Sequence, residues 1–145
     1  MLITKELKID MAHRLPGHKW RCKNLHWHTY RVRIWVEWDL NKEYMVVDYW
    51  DVKKILMEEI DWKFDHSVVL YNKDPLLESV ENVAEETWIS RINPVDFIPT
   101  AEKLAEYWYN ILEVRFKELW VKLNYVKVRE TQTSTAIYSI NDKNE

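Results

Sequence analysis

Residues 29–37, with the sequence TYRVRIWVE, alternate strictly between two kinds of side chain. The first set is apolar and the second carries two arginines: Tyr30, Val32, Ile34 and Val36 against Arg31, Arg33 and Trp35. Because successive residues of a β-strand point to opposite faces, this period of two predicts a strand with one buried face. Residues 2–11 alternate more loosely and predict a strand that can pair with it antiparallel. The chain must therefore fold around a sheet whose apolar face needs a cover.

Helical patterns further along the chain predict the helices that cover this apolar face. The predicted elements are a helix over 49–60 behind an Asp48 N-cap, a short helix over 75–86 behind Asp74, an extended piece over 94–98, a long helix after Thr100, and a closing hairpin of 121–131 with 135–141. We predict a single α+β domain over residues 1–145. Its sheet is antiparallel and four-stranded, built from two β-hairpins, with two main helices on one face and an inserted short helix.

Charge and composition exclude several classes of protein. The formal net charge is −3, which argues against a nucleic-acid partner. The sequence contains no apolar run long enough to cross a membrane. Charged residues interrupt the N-terminus where a signal peptide needs an apolar core, so we expect a cytoplasmic protein. A single cysteine, Cys22, cannot form an internal disulfide and is either a small core residue or a reactive thiol.

Histidines cluster where the first two predicted strands meet. His26 and His28 share one strand face if the second strand begins that early, and His13 lies at the end of the first strand. Three imidazoles with one open coordination position are the pattern of a catalytic zinc site. The alternative is that a His-x-His pair stands by chance on a half-exposed strand.

Other polar residues of interest lie far away in the sequence. Asp65 precedes His66 directly, and a carboxylate there can fix the tautomer of the imidazole; the alternative is a polar loop pair. Glu130 ends an apolar strand row, where it either finds hydrogen-bond donors or reaches solvent. Thr100 and Glu102 begin a predicted helix, where capping and the helix dipole explain both residues without a function.

Taken in order, these segments carry a family resemblance. The motifs MAHRL, CKNLHWHTY, VVDYWDVK, FDHSVVL, PTAEKLA and VRET resemble the 6-pyruvoyltetrahydropterin synthase and 6-carboxytetrahydropterin synthase family over nearly the whole chain. The Cys-x3-His-x-His spacing is similar to the 6-carboxytetrahydropterin synthase branch. The resemblance implies the tunnelling fold, in which three subunits close a barrel and two trimers stack into a homohexamer.

The resemblance also implies roles for individual residues. His13, His26 and His28 match the zinc ligands. Cys22, Asp65 and His66 match the catalytic cysteine and its proton-relay partners. The substrate-binding positions are Glu130, which matches the anchor of the pterin ring, Thr100 and Glu102, which match the border of the pterin pocket at a subunit interface, and Arg14, which with Lys19 and Arg21 is near enough in sequence to meet a triphosphate.

The implied function is that of a zinc-dependent lyase of queuosine biosynthesis. Its substrate is 7,8-dihydroneopterin triphosphate, and its products are 6-carboxy-5,6,7,8-tetrahydropterin, acetaldehyde and triphosphate. One alternative is 6-pyruvoyltetrahydropterin synthase, which eliminates triphosphate only. Another is a non-catalytic zinc or pterin-binding homologue or an engineered variant. A cupin-like metal enzyme also uses His-x-His, but it needs an acidic ligand at position 32, which is Val32 here.

The chain departs from the family in its aromatic residues. It has one glycine and nine tryptophans. Trp27 stands between the two strand histidines where the family has glycine, and by alternation it points away from the metal. Trp62 and Trp120 follow predicted helices at the left-handed position that glycine usually takes. These bulky residues bear on hexamer assembly and turnover more than on the fold class.

Overall fold

The computed structural model describes residues 1–88 and 90–144, and it forms one sheet with helices. The strands are β1 (Leu2–His13), β2 (His26–Glu37), β3 (Ser67–Tyr71), β4 (Ile92–Val95), β5 (Lys122–Arg129) and β6 (Thr135–Ser139). The helical segments are α1 (Tyr49–Leu56), a π-helical turn (Met57–Asp61), α2 (Trp62–Phe64), α3 (Pro75–Thr87) and α4 (Ala101–Glu118), with 3₁₀ turns at Arg21–Lys23 and Ile140–Asn144.

The sheet has six strands in the order β4-β3-β1-β2-β5-β6, so the prediction of four strands is wrong. The two predicted hairpins are present as antiparallel pairs, β1 with β2 and β5 with β6. The two additional strands run parallel: β3 pairs with β1 through Met11–His13, and β4 pairs with β3. Parallel strands are covered on both faces and therefore lack polar alternation. The short apolar run of β3 gives no period-two signal for this reason.

The apolar face of the first hairpin forms the core under α1 and α4. Tyr30, Val32 and Ile34 are fully buried, as their alternation predicts, whereas Arg31 and Arg33 on the opposite face are exposed. Helix α4 contributes the largest core side chain, Trp108, which has no exposed surface. Over the residues described, no helix combines the length and the apolar character needed to cross a membrane.

Among the residues that the structure describes, four that are not glycine have a left-handed backbone. They are Tyr44, His66, Trp88 and Trp120, with φ angles between 56° and 61°. The predicted left-handed conformation of Trp120 is confirmed. The same prediction for Trp62 is wrong, because the helix continues through the π-helical turn and Trp62 keeps a right-handed φ of −62°. A bulky residue in the left-handed region costs about 1–2 kcal/mol relative to glycine.

Candidate active site

Three histidine side chains meet at the end of the first hairpin. His13 pairs in register with His26, and His28 lies two residues further along the same face of β2. One nitrogen from each of the three rings lies within 4.8 Å of the other two. The structure thus brings together the three residues that the strand spacing predicts on one face, in an arrangement that can hold a metal ion.

Backbone carbonyl groups fix the orientation of two of these rings. Nδ1 of His13 lies 2.8 Å from the carbonyl oxygen of Pro99, and Nδ1 of His26 lies 2.8 Å from that of Asn24. A carbonyl oxygen can only accept, so each Nδ1 carries the proton and each Nε2 is left as the metal-binding atom. Burial lowers the pKa of His13 and of His28, against the opposing effect of the Glu130 carboxylate. Both rings therefore favour the neutral form that binds metals.

A carboxylate faces the histidine cluster from the other hairpin. Glu130 directly follows β5, and its Oε1 lies 3.5 Å from Nε2 of His13 and 3.8 Å from Nε2 of His28. The side chain is 23% exposed, so it is neither fully buried nor simply solvated. A polar cavity of about 380 Å³ opens beside it, lined by His28, Thr29, Arg31, Arg129, Glu130, Thr131 and Gln132. The carboxylate can therefore contact both the cluster and a ligand in this cavity.

Tyr30 links the histidines to Glu130, a connection that the sequence analysis missed. Its hydroxyl lies 3.2 Å from Nε2 of His13 and donates to Oε1 of Glu130 at 3.2 Å. Burial raises the pKa of Tyr30 far above its ordinary value, with a further contribution from the Glu130 charge, so the hydroxyl keeps its proton. The sequence signal was present, because Tyr30 follows His28 by two residues on the same strand face.

Asp65 and His66 form a close pair at the start of β3. Nδ1 of His66 donates to Oδ2 of Asp65 at 2.6 Å, and the other carboxylate oxygen accepts from the backbone N–H of Asp10 at 2.8 Å. Burial raises the pKa of Asp65, but the Asp10 N–H and the His66 ring outweigh it, so that the pKa lies below its ordinary value. The His66 side chain is 74% exposed. Asp10 was also missed, because it acts through its backbone.

Cys22 and Arg14 both lie in the loop that connects β1 to β2. Cys22 is half-buried on the Arg21–Lys23 turn, and its carbonyl accepts from the N–H of Leu15. The Arg14 guanidinium donates to the buried Asp74 carboxylate at 2.6 Å and to the carbonyl of Lys23 at 3.4 Å. Among the contacts of the described residues, Cys22 has none with Asp65 or His66.

The start of α4 lies beside the histidine cluster. Thr100 caps this helix by accepting from the N–H of Lys103 at 3.2 Å, and Glu102 is exposed in the first turn. The preceding residue, Pro99, supplies the carbonyl that orients His13. Capping explains Thr100 locally, but the position of the helix start also sets the orientation of a metal-binding ring.

The fold and the site define a class: an α+β protein with a candidate metal site of three histidines on one β-hairpin and a carboxylate on the next. The profile of the 6-pyruvoyl tetrahydropterin synthase family matches residues 2–141. The chain therefore belongs to this family. Curated relatives include 6-carboxy-5,6,7,8-tetrahydropterin synthase of Aquifex aeolicus, 38% identical over 81% of this chain and 75% of the relative. The enzyme of the same name from Haemophilus influenzae is 33% identical over 94% and 96% of the two chains.

Solved structures give the same fold. An uncharacterised protein of Wolinella succinogenes matches with a TM-score of 0.82 at 22% identity, covering 97% of this chain and 98% of that one. The 6-pyruvoyl tetrahydropterin synthase of Caenorhabditis elegans matches with a TM-score of 0.68 at 20% identity, covering 96% and 94%. With the curated relatives, the family assignment makes this chain an enzyme of the lyase type.

Proposed function

We propose that this chain is a zinc-dependent lyase acting on 7,8-dihydroneopterin triphosphate. The products are 6-carboxy-5,6,7,8-tetrahydropterin, acetaldehyde and triphosphate. The observation that carries the proposal is the Glu130 carboxylate, placed 3.5 Å and 3.8 Å from two histidines of the cluster and beside an open polar cavity. Such a site can hold a pterin ring and its side chain at the same time. The names of the Aquifex and Haemophilus relatives support the choice of product.

Zinc fits the donor set of the cluster. His13, His26 and His28 offer three neutral imidazole nitrogens, which leaves one coordination position for substrate. Bound there, zinc supplies Lewis-acid polarisation of the side-chain hydroxyls of the substrate. The carbonyl groups of Pro99 and Asn24 hold two of the rings in the required tautomer.

Glu130 is the group that recognises the pterin. An ionised carboxylate accepts two hydrogen bonds at once, which matches the adjacent amino and ring N–H donors of a pterin. We expect Thr100 and Glu102, at the start of α4 beside the Pro99 carbonyl, to border the pterin pocket across a subunit boundary. Arg14 remains our candidate for the triphosphate, although in the single chain its Nε is held by Asp74.

Cys22 takes the proton from the substrate carbon next to the polarised hydroxyl. It is half-buried on the Arg21–Lys23 turn, four residues before His26 in the chain. Asp65 and His66 complete the proton relay, with Asp65 fixing the His66 ring through the 2.6 Å hydrogen bond. The exposed His66 ring faces outward in one chain, which supports a relay that is completed by a neighbouring subunit.

Product analysis tests the reaction directly. Purified, zinc-loaded protein incubated with 7,8-dihydroneopterin triphosphate is expected to release acetaldehyde and form the carboxylated tetrahydropterin, both detected by mass spectrometry. Formation of the pyruvoyl product without acetaldehyde identifies the alternative synthase of this family. An unchanged substrate that nevertheless binds identifies a non-catalytic pterin-binding homologue and refutes the proposal.

We expect a closed homohexamer of two trimers. Strands β4 and β6 are the sheet edges within one chain, and unpaired edges are normally covered by assembly. Light scattering at low micromolar concentration measures the assembly, and turnover is measured on the same sample. A stable monomer with full activity would contradict a relay shared between subunits.

A further inference from the structure

Tyr30 places a buried hydroxyl at the junction of the two hairpins, and the reaction scheme leaves this hydroxyl without a role. Its side chain is fully buried in the core, and its hydroxyl donates to Oε1 of Glu130 at 3.2 Å. The same oxygen faces Nε2 of His13 and Nε2 of His28. All the described contacts of the carboxylate thus fall on Oε1, which leaves Oε2 for a ligand.

A carboxylate on a flexible side chain recognises a ligand poorly unless its rotation is restricted. The Tyr30 ring is held rigidly by the core, so its hydroxyl gives Glu130 a fixed partner on one oxygen. We propose that Tyr30 is a positioning residue, which holds Glu130 in the orientation that receives the pterin ring. The proposal rests on the proposed function, because it takes Glu130 as the pterin anchor.

The test measures binding of 7,8-dihydroneopterin, which lacks the triphosphate, to zinc-loaded protein. Tyr30→Phe keeps the ring in the core and removes only the hydroxyl. We expect about a tenfold rise in Kd, since a hydrogen bond to a charged group contributes on that scale. Zinc content is expected to stay unchanged. Tyr125→Phe, on the partly exposed surface of β5, is the matched control and should bind normally.

A merely structural effect is separated from positioning by a double-mutant cycle. In a Glu130→Gln background, Tyr30→Phe is expected to change the Kd little, whereas an equal loss in both backgrounds overturns the proposal. A crystal structure of Tyr30→Phe gives a reading that does not depend on the ligand: the Glu130 carboxylate should leave its present position. A carboxylate that stays there overturns the proposal, and wild-type protein that binds no pterin overturns the proposed function instead.

A second inference rests on the tryptophans alone, which fall into two groups. Trp108 is fully buried and Trp35 half-buried, as large aromatic residues usually are. The other seven are between 51% and 91% exposed: Trp20, Trp27, Trp38, Trp50, Trp62, Trp88 and Trp120. Single exposed apolar residues need no explanation, but seven exposed tryptophans in a 145-residue chain do.

The backbone indicates which residue these positions suit. Trp88 and Trp120 both end a helix with a φ of 59°, the left-handed conformation that glycine adopts without strain. Gly17 is the only glycine of the chain, where average usage predicts about ten. Glycine at the seven exposed positions would bring the composition close to that average and leave both core tryptophans in place.

We infer that the seven exposed tryptophans stand at glycine positions, encoded by UGA codons that the source cell reads as glycine. Genetic codes differ in whether UGA specifies tryptophan or glycine, whereas UGG specifies tryptophan in them all. The same codon therefore accounts for the excess of one residue and the lack of the other. Trp35 and Trp108 are expected to have UGG codons.

Two measurements test this inference. Peptide masses of the protein from its source cell should show glycine at the seven positions and tryptophan at Trp35 and Trp108; tryptophan at all nine overturns it. In recombinant protein, replacing Trp88 and Trp120 by glycine should raise the urea midpoint of unfolding, because backbone strain at both positions is relieved. A lower midpoint also overturns the inference. Trp108→Gly is the control, and it should lower the midpoint strongly because it empties a core position.

Discussion

A double variant, His26→Ala with His28→Ala, is expected to lose its metal and its activity while the sheet still forms. Two of the three imidazoles are removed, and His13 alone cannot hold zinc tightly. Bound zinc should fall from one per subunit to almost none by metal analysis. Turnover should fall by about a thousandfold, because Lewis-acid stabilisation contributes several kcal/mol to such a step.

His18→Ala is the matched control for this experiment. His18 is an exposed histidine of the neighbouring loop, and it lies outside the cluster. The control should keep full zinc content and full turnover. Full retention of zinc by the double variant would refute the assignment of the cluster as the metal site, whatever happened to the activity.

Replacing the single cysteine is expected to separate catalysis from structure. Cys22→Ala should keep the circular dichroism spectrum and the zinc content of the wild type, because the half-buried side chain contributes little to the core. Turnover should fall by about a hundredfold to ten-thousandfold, the usual contribution of a positioned proton acceptor. Steady-state kinetics with 7,8-dihydroneopterin triphosphate measures the loss.

The opposite outcome would contradict the role of Cys22 as proton acceptor. A Cys22→Ala protein that unfolds, while its remaining folded fraction turns over normally, would show that Cys22 is a core thiol and not the acceptor. Lys23→Ala changes the other exposed residue of the same turn, whose side chain has no role in the proposed reaction, and serves as the control. Its turnover should stay within the range of the wild type.

Strict patterns in the sequence predicted the parts of the fold that depend on them. The alternation over residues 29–37 and the helical stripes around Val52 and Leu104 gave the two hairpins and the two main helices. Strand β3 was missed because a parallel strand shows no alternation and because its pairing with β1 is set by tertiary contacts, whereas the extended piece predicted over 94–98 overlaps β4 in part. The π-helical turn carried no local signal either, so the first long helix was predicted to end too early.

The residues of the candidate site were likewise predicted only where a pattern in the sequence indicates them. Strand spacing alone predicted that His26 and His28 converge, and the length of β1 brought His13 to them. Tyr30 was treated only as a core residue, although its position two residues after His28 puts it on the strand face of the histidines; its contact with Glu130 depends on the pairing of distant strands. The role of Asp10 could not be predicted from its residue type, because it holds Asp65 and His66 through backbone atoms, which every residue possesses.

The location of the three histidines within one hairpin has a consequence for the order of folding. His13, His26 and His28 are near neighbours along the chain, whereas the Tyr30 hydroxyl reaches Glu130 across 100 positions. Closing a short loop costs less entropy and takes less time than bringing distant segments together. We therefore expect the histidine cluster to assemble early and Glu130 to join it late, so that zinc present during refolding should accelerate formation of the first hairpin ahead of the second.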